Sequence, residues 1–331
     1  MPTDQLRRGD FVEVRSAAEI LATLDDQGAL GALPFMPEMV SYCGRRFAVD
    51  RRTEKVCDTI KDLNSRRLAD CVFLGDLRCD GSGHDGCQAE CRLYWKEAWL
   101  KRVTPSDPPP ATGGDHEARR ALLELVTRGA RTSTPEGDVL YRCQATELRA
   151  ASQPLSLTDP RPYLREYTSG NVSIRTFARV MTRATVTEVR RKFGRLPAIH
   201  VHGQSTKSPD TARLELQPGE WVRVKSQDQI RETLTTKGMN RGLWFDVEMV
   251  AFCGQTLRVR RRIERFVHDR DGKMIELPSN CVTLDGAVCS GERSTQRWFC
   301  PRAIYSYWRE CWLERVQPPT ATGPTEPVRR G

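Results

Sequence analysis

GDFVEVRSAAEILATLDDQG at residues 9–28 returns as GEWVRVKSQDQIRETLTTKG at residues 219–238. In both, a Gly-led stretch alternates apolar and polar side chains, which is the period of a half-buried strand. A short helix is expected next: Ser16 is a capping residue with Glu19 three positions on, and Gly28 is a stop signal. The match runs without a gap from Leu6–Val49 to Leu216–Val259 at a constant offset of 210. Its identities include Val12/Val222, Val14/Val224, Ser16/Ser226, Ile20/Ile230, Phe35/Phe245, Glu38/Glu248, Met39/Met249 and Cys43/Cys253. Repetition on this scale sets the number of modules before any local pattern is weighed.

Working outward, the offset slips by one residue and recovers at Cys71/Cys281 and Cys79/Cys289. A three-residue insertion then aligns Cys87 with Cys300, Trp95 with Trp308 and Trp99 with Trp312. CGRRFAVDR (43–51) and CGQTLRVRR (253–261) alternate again and read as a second strand. CVFLGDLRC (71–79) and CVTLDGAVC (281–289) read as hairpins turning at Gly–Asp or Asp–Gly. CRLYWKEAWLKRV (91–103) and its counterpart (303–316) read as a helical turn entering a last strand. The repeated tryptophans read as core. Several short strands around one small core give an α+β chain with two duplicated β-barrel-like modules. Their opening strand and spacing resemble SH3-like barrels, a likeness of fold that carries no function. Pro-rich stretches follow each copy, TPSDPPPATGG (104–114) and QPPTATGPTEP (317–327). The expected organisation is repeat 1 at 1–103, a linker and basic spacer at 104–214, repeat 2 at 215–316 and a disordered tail at 317–331.

The net charge of +9 sits mainly in the spacer, where 17 basic residues face 11 acidic ones. Repeat 1 over residues 6–103 is balanced at 16 and 16. Residues 116–129 and 172–193 read as amphipathic helices, the second with Ile174, Phe177, Met181 and Ala184 on its apolar face. Arg175, Arg179 and Arg183 recur every four residues on another face. Such a stripe is ordinarily a solvated surface; its functional alternative is a nucleic acid or an acidic partner.

No apolar run approaches a membrane span, and the first twenty residues lack a secretory core. A cytoplasmic protein is therefore expected, and twelve cysteines then point away from disulfides, toward metal or redox chemistry. Buried free thiols acting as small apolar residues are the plain alternative. The first copy holds Cys43, Cys57, Cys71, Cys79, Cys87 and Cys91, with His84 among them. The second holds Cys253, Cys281, Cys289, Cys300 and Cys311, with His268 aligned to Cys57. A Cys/His exchange suits a zinc ligand. Cys91 and Cys311 have no counterpart. A three-residue loop at 284–286 would set Cys281 across from Cys289; a two-residue turn would separate them and leave His268 as fourth ligand with Cys253, Cys289 and Cys300.

CDGSGH at 79–84 resembles the CDGSH motif of small 2Fe–2S proteins, with Gly83 as one additional residue. The Cys-x-Cys part of that motif is absent, and the second copy reads CSGERS. The resemblance implies iron–sulfur ligation by Cys79 and His84.

Two functions follow. One is a non-catalytic binding or accessory protein with a protein partner and one structural zinc per module. The other is an iron–sulfur redox or accessory protein serving a biosynthetic pathway. A zinc hydrolase is a third reading, for which no general base stands out. Phosphate loops, nucleophile elbows and HExxH patterns are all missing from the sequence.

Overall fold

The computed structural model describes residues 5–53, 55–60, 65–104, 106–107, 115–156, 159–193, 201–209, 213–277, 281–295 and 297–318. Most of the first Pro-rich stretch (108–114) and the tail from 319 onward lie outside the described residues. The chain is mixed α+β with two β-rich halves of similar size, and it divides into two compact units. Unit 1 comprises Met1–Val172 with Arg265–Glu276 and Phe299–Arg302; unit 2 comprises Ser173–Glu264, Leu277–Trp298 and Ala303–Gly331.

In unit 1, β1 (Phe11–Val14), β2 (Arg46–Arg52), β3 (Cys71–Arg78), β4 (Arg92–Lys96) and β5 (Leu100–Arg102) form one curled antiparallel sheet in the order β4-β3-β2-β1-β5. In unit 2, β6 (Trp221–Val224), β7 (Thr256–Arg262), β8 (Cys281–Leu284), β9 (Trp308–Arg309) and β10 (Leu313–Arg315) repeat it as β9-β8-β7-β6-β10. The registers correspond residue by residue. Phe11 faces Ala48 as Trp221 faces Arg258, and Val49 faces Leu74 as Val259 faces Leu284, each followed by a bulge.

Alternation explains the strands. Val12 and Val14, like Val222 and Val224, are fully buried while their neighbours face outward. Helix α1 (Ala17–Leu21) is shorter than expected, because Thr23 already folds back to the Ile20 carbonyl. Ser16 and Glu19 form the expected capping box. Both cores centre on one phenylalanine between two tryptophans. Phe35 meets Trp95 and Trp99 edge-on at 6.1 and 5.0 Å; Phe245 meets Trp308 and Trp312 at 6.0 and 5.2 Å. Trp99 Nε1 donates to Thr23 Oγ1 at 3.2 Å and Trp312 Nε1 to Thr233 Oγ1 at 2.9 Å.

The expected Cys-to-Cys hairpins do not form. Cys71–Arg78 is one eight-residue strand, with Cys71 opposite Lys96. Its Gly75 adopts φ +48 at an irregularity rather than a hairpin turn. Its ends pair with Lys96 and Arg92, four residues apart on β4, a span of roughly 13 Å, so Cys71 and Cys79 stand apart. In unit 2 the chain does turn after Leu284, but Val288 bridges to Tyr305 and the Cys289 amide bonds the Ile304 carbonyl at 2.8 Å. Cys281 lies opposite Arg309.

Both spacer helices form, α2 (His116–Gly129) and, after the short α3 (Leu148–Ala151) and α4 (Arg161–Thr168), α5 (Ile174–Lys192). Leu122 and Val126 of α2 enter the core of unit 1. Arg119 donates to the carbonyls of Val40 (3.2 Å) and Cys43 (2.7 Å), closing the 3-10 turn Pro37–Tyr42. On α5 the buried residues are Val180 and Ala184, whereas Ile174, expected on the apolar face, is 57% exposed. No helix among the described residues is long and apolar enough to cross a membrane.

Candidate metal centre

All twelve cysteines are free thiols, and they fall into distinct environments. Cys71 and Cys281 begin β3 and β8, essentially unexposed, and burial pushes both thiols up to about 12. Their carbonyls accept the Thr53 and Ile263 amides at 3.0 and 2.8 Å. Cys43 and Cys253 end the 3-10 turns Pro37–Tyr42 and Met249–Phe252; burial raises Cys43 to about 11 and Cys253 in the same direction. Cys43, Cys71 and Cys311 pack within hydrophobic clusters as small apolar side chains. The ligand set expected for the second repeat is divided: Cys253, Cys281 and Cys289 lie in unit 2, while His268 and Cys300 lie in unit 1.

The densest group is the loop from Cys79 to Cys91 in unit 1. It is held by its own backbone. The Cys79 amide bonds the Cys91 carbonyl at 2.8 Å, and the Gly81 carbonyl accepts the amides of His84 and Gly86, both at 3.0 Å. Gly81 has φ +80, and a Cβ there would lie 2.1 Å from the Cys87 carbonyl, so only glycine serves. A Cβ on Gly83 would press the Pro37 ring at 3.1 Å and come within 3.7 Å of a Glu38 carboxylate oxygen. The additional glycine of CDGSGH therefore lets the loop close over the turn that carries Glu38.

That closure leaves Cys79 beside two other ligand-type side chains. Cys79 Sγ stands 3.9 Å from His84 Nδ1, and the Cys79 thiol also approaches the Glu38 carboxyl. Burial raises Glu38, raises Cys79 well above the thiol range and lowers His84. All three groups are thus driven toward their uncharged forms. Both carboxylate oxygens of Glu38 and Nε2 of His84 are buried without a hydrogen-bond partner. Its repeat counterpart contrasts sharply. Glu248 accepts from Ser290 N and Oγ (3.1 and 2.6 Å) and from the amides of Arg293 and Ser294, both at 2.7 Å. Ser290, whose hydroxyl donates to Glu248, aligns with Asp80, so that donor is replaced by an acid, and Ser294, whose amide donates, aligns with His84.

Around this group lie further thiols. Burial pushes Cys91 far above the thiol range and Cys143 up to about 12, with the charge of Cys143 adding to the rise at Cys91. Cys87 Sγ accepts the Val267 amide at 3.3 Å. Cys57 and Cys300 form a separate pair, the Cys57 amide donating to Cys300 Sγ at 3.2 Å, with Arg302 donating to the Cys57 carbonyl at 3.2 Å. His268 is held by Asp271 at 3.0 Å rather than by a cysteine.

Among the described residues no three Cys, His, Asp or Glu side chains already stand as a metal-holding group. The ligand-type side chains nearest to such a group are Cys79 with His84 and Glu38 on either side of it, and the Cys91 carbonyl accepts the Cys79 amide. Glu38 and Cys143 were not among the residues the sequence singled out as ligands; only the Glu38/Glu248 identity marked a place to look. Of the arginine stripe, Arg179 is paired with Glu292 at 3.0 Å and Arg183 donates to the Glu292 carbonyl at 3.3 Å, while Arg175 is exposed. No protein-family model matches the chain, and no curated protein sequence matches it at a significant level.

Proposed function

We propose that the chain is a non-catalytic binding or accessory protein made of two copies of an SH3-like barrel, the first carrying a zinc-type structural centre. Shared strand order, matching registers and a 3-10 turn before a last strand that pairs with the first support the duplicated SH3-like reading. A protein partner and a reducing, cytoplasmic setting belong to the same proposal, since twelve free thiols persist in such a compartment.

One observation carries the metal reading. A carboxylate repeated at offset 210 accepts four hydrogen bonds in one copy, whereas in the other it lacks those donors and is approached by the Cys79 thiol, which itself stands 3.9 Å from His84. Burying an unpartnered carboxylate is costly, and a divalent cation would supply what is missing. Glu38, Cys79 and His84 would hold the ion, with Cys91 as a fourth donor; thiolate, imidazole and carboxylate are all zinc ligands. Its work would be to fasten the Cys79–Cys91 loop to the Pro37–Tyr42 turn. An iron–sulfur centre is the second reading, favoured by the facing Cys79 and His84 side chains and by the further thiols of Cys87 and Cys91.

Cobalt(II) titration of the metal-free full chain under reducing, anaerobic conditions tests the site. Tetrahedral thiolate-bound cobalt should colour the wild type and the Cys71→Ser and Cys281→Ser variants, but not Cys79→Ser. Equal colour in Cys79→Ser would remove the proposal.

A further inference from the structure

Unit 2 contains a cleft of about 410 Å³ lined by Arg183, His202, Gln227, Arg231 and Arg293 over Val201, Val247 and Val250. Three arginines and a histidine thus line one cleft together with three valines. Like charges at such density repel one another unless an anion joins them. Among the described residues the counter-charges are few: Arg231 reaches Asp228 only at 3.7 Å, and Glu292 is already paired with Arg179 at 3.0 Å. His202 Nδ1 is engaged by the Thr236 carbonyl at 2.9 Å, which fixes the ring and leaves Nε2 as the other polar edge.

We infer that this cleft binds a small organic phosphate ester of mononucleotide size. Guanidinium forks match phosphate oxygens in paired hydrogen bonds better than any other side chain. The volume lies within the range of small-molecule sites and far exceeds inorganic phosphate. Three valines would cover an apolar or planar body, which bare phosphate lacks. A long polyanion fits less well. It would need the α5 stripe as a continuous basic ridge, but Arg179, the middle of the three arginines, is paired with Glu292. The positive charge is gathered into a cleft instead.

The inference is independent of any metal in unit 1. Calorimetric titration of the full chain with AMP, at low and at moderate salt, tests it. Saturable binding of about one AMP per chain is expected, with inorganic phosphate weaker. Arg183→Ala and Arg293→Ala should each weaken AMP binding about tenfold. Arg293 is exposed, with only its backbone bonded to Glu248, so Arg293→Ala keeps the fold even if Arg183→Ala does not. Arg15→Ala, which removes a half-buried arginine of unit 1 paired with Glu19, should bind as the wild type does. Three outcomes would overturn the inference: no AMP binding, equal weakening by Arg15→Ala, or binding only to single-stranded RNA with affinity growing with length.

Discussion

Replacing Glu248 and Glu38 by glutamine in turn should give opposite results in the metal-free protein. Glu248 is 3% exposed and accepts four hydrogen bonds, from Ser290 N and Oγ, Arg293 N and Ser294 N. Glutamine keeps one acceptor oxygen and turns an NH2 toward the other donors. About two buried donors lose their partner, each costing about 1–3 kcal/mol. Glu248→Gln should therefore destabilise unit 2 by about 3–5 kcal/mol. With a urea slope of about 2 kcal/mol per molar, its midpoint should fall by about 2 M. Glu38 has no such bonds to lose, and glutamine removes a carboxyl whose burial already favours the neutral form. Glu38→Gln should stay within about 1 kcal/mol of the wild type. Tryptophan fluorescence follows both, since Trp95 and Trp99 report on one core and Trp308 and Trp312 on the other. Equal losses at the two positions, or a Glu248→Gln change under about 1 kcal/mol, would refute the reasoning.

Three other outcomes follow. Gly81→Ala should cost more than Gly86→Ala, by about 2 kcal/mol or more, because both have positive φ but only at Gly81 does the new Cβ strike backbone, at 2.1 Å; thermal melts compare them. Thr23→Val and Thr233→Val should each cost about 1 kcal/mol by orphaning the Trp99 or Trp312 indole N–H, read by urea unfolding. Lys55 is fully buried and burial lowers its pKa from 10.5 to about 8. The folded state then binds fewer protons than the unfolded one between those values, so stability rises from pH 8 toward 10.5 by about 3 kcal/mol. Lys55→Met should be more stable at pH 7 and lose that rise in urea unfolding across the range.

Much of the architecture is written locally. The FVEV and WVRV alternation, the Ser16 cap and the paired tryptophans each depend on neighbours in sequence, and each appears as read. The CVFLGDLRC segment misleads because Gly–Asp signals a turn and a bulge alike; only the cross-strand partners, Lys96 and Trp95 rather than Cys79, decide between them. Cysteine is similarly ambiguous, being equally at home as a core residue and as a ligand. Cys71 and Cys281 match in sequence because both begin the same inner strand. Glu38 and Glu248 are identical letters in different surroundings, and the difference arises from loops 79–84 and 289–294 that fold over them. The hairpin Arg265–Glu276, read as part of repeat 2, is counted with unit 1, which no local pattern announces.

The most direct test of the central claim is elemental analysis of the full chain purified anaerobically without added metal. The account predicts a colourless protein with about one zinc per chain, retained by Cys71→Ser and Cys281→Ser and lost from both Cys79→Ser and His84→Ala. A brown protein containing iron, bleached by dithionite, would transfer the site to the iron–sulfur reading. Folded wild-type protein containing neither metal, and taking up none on titration with zinc, would contradict the claim.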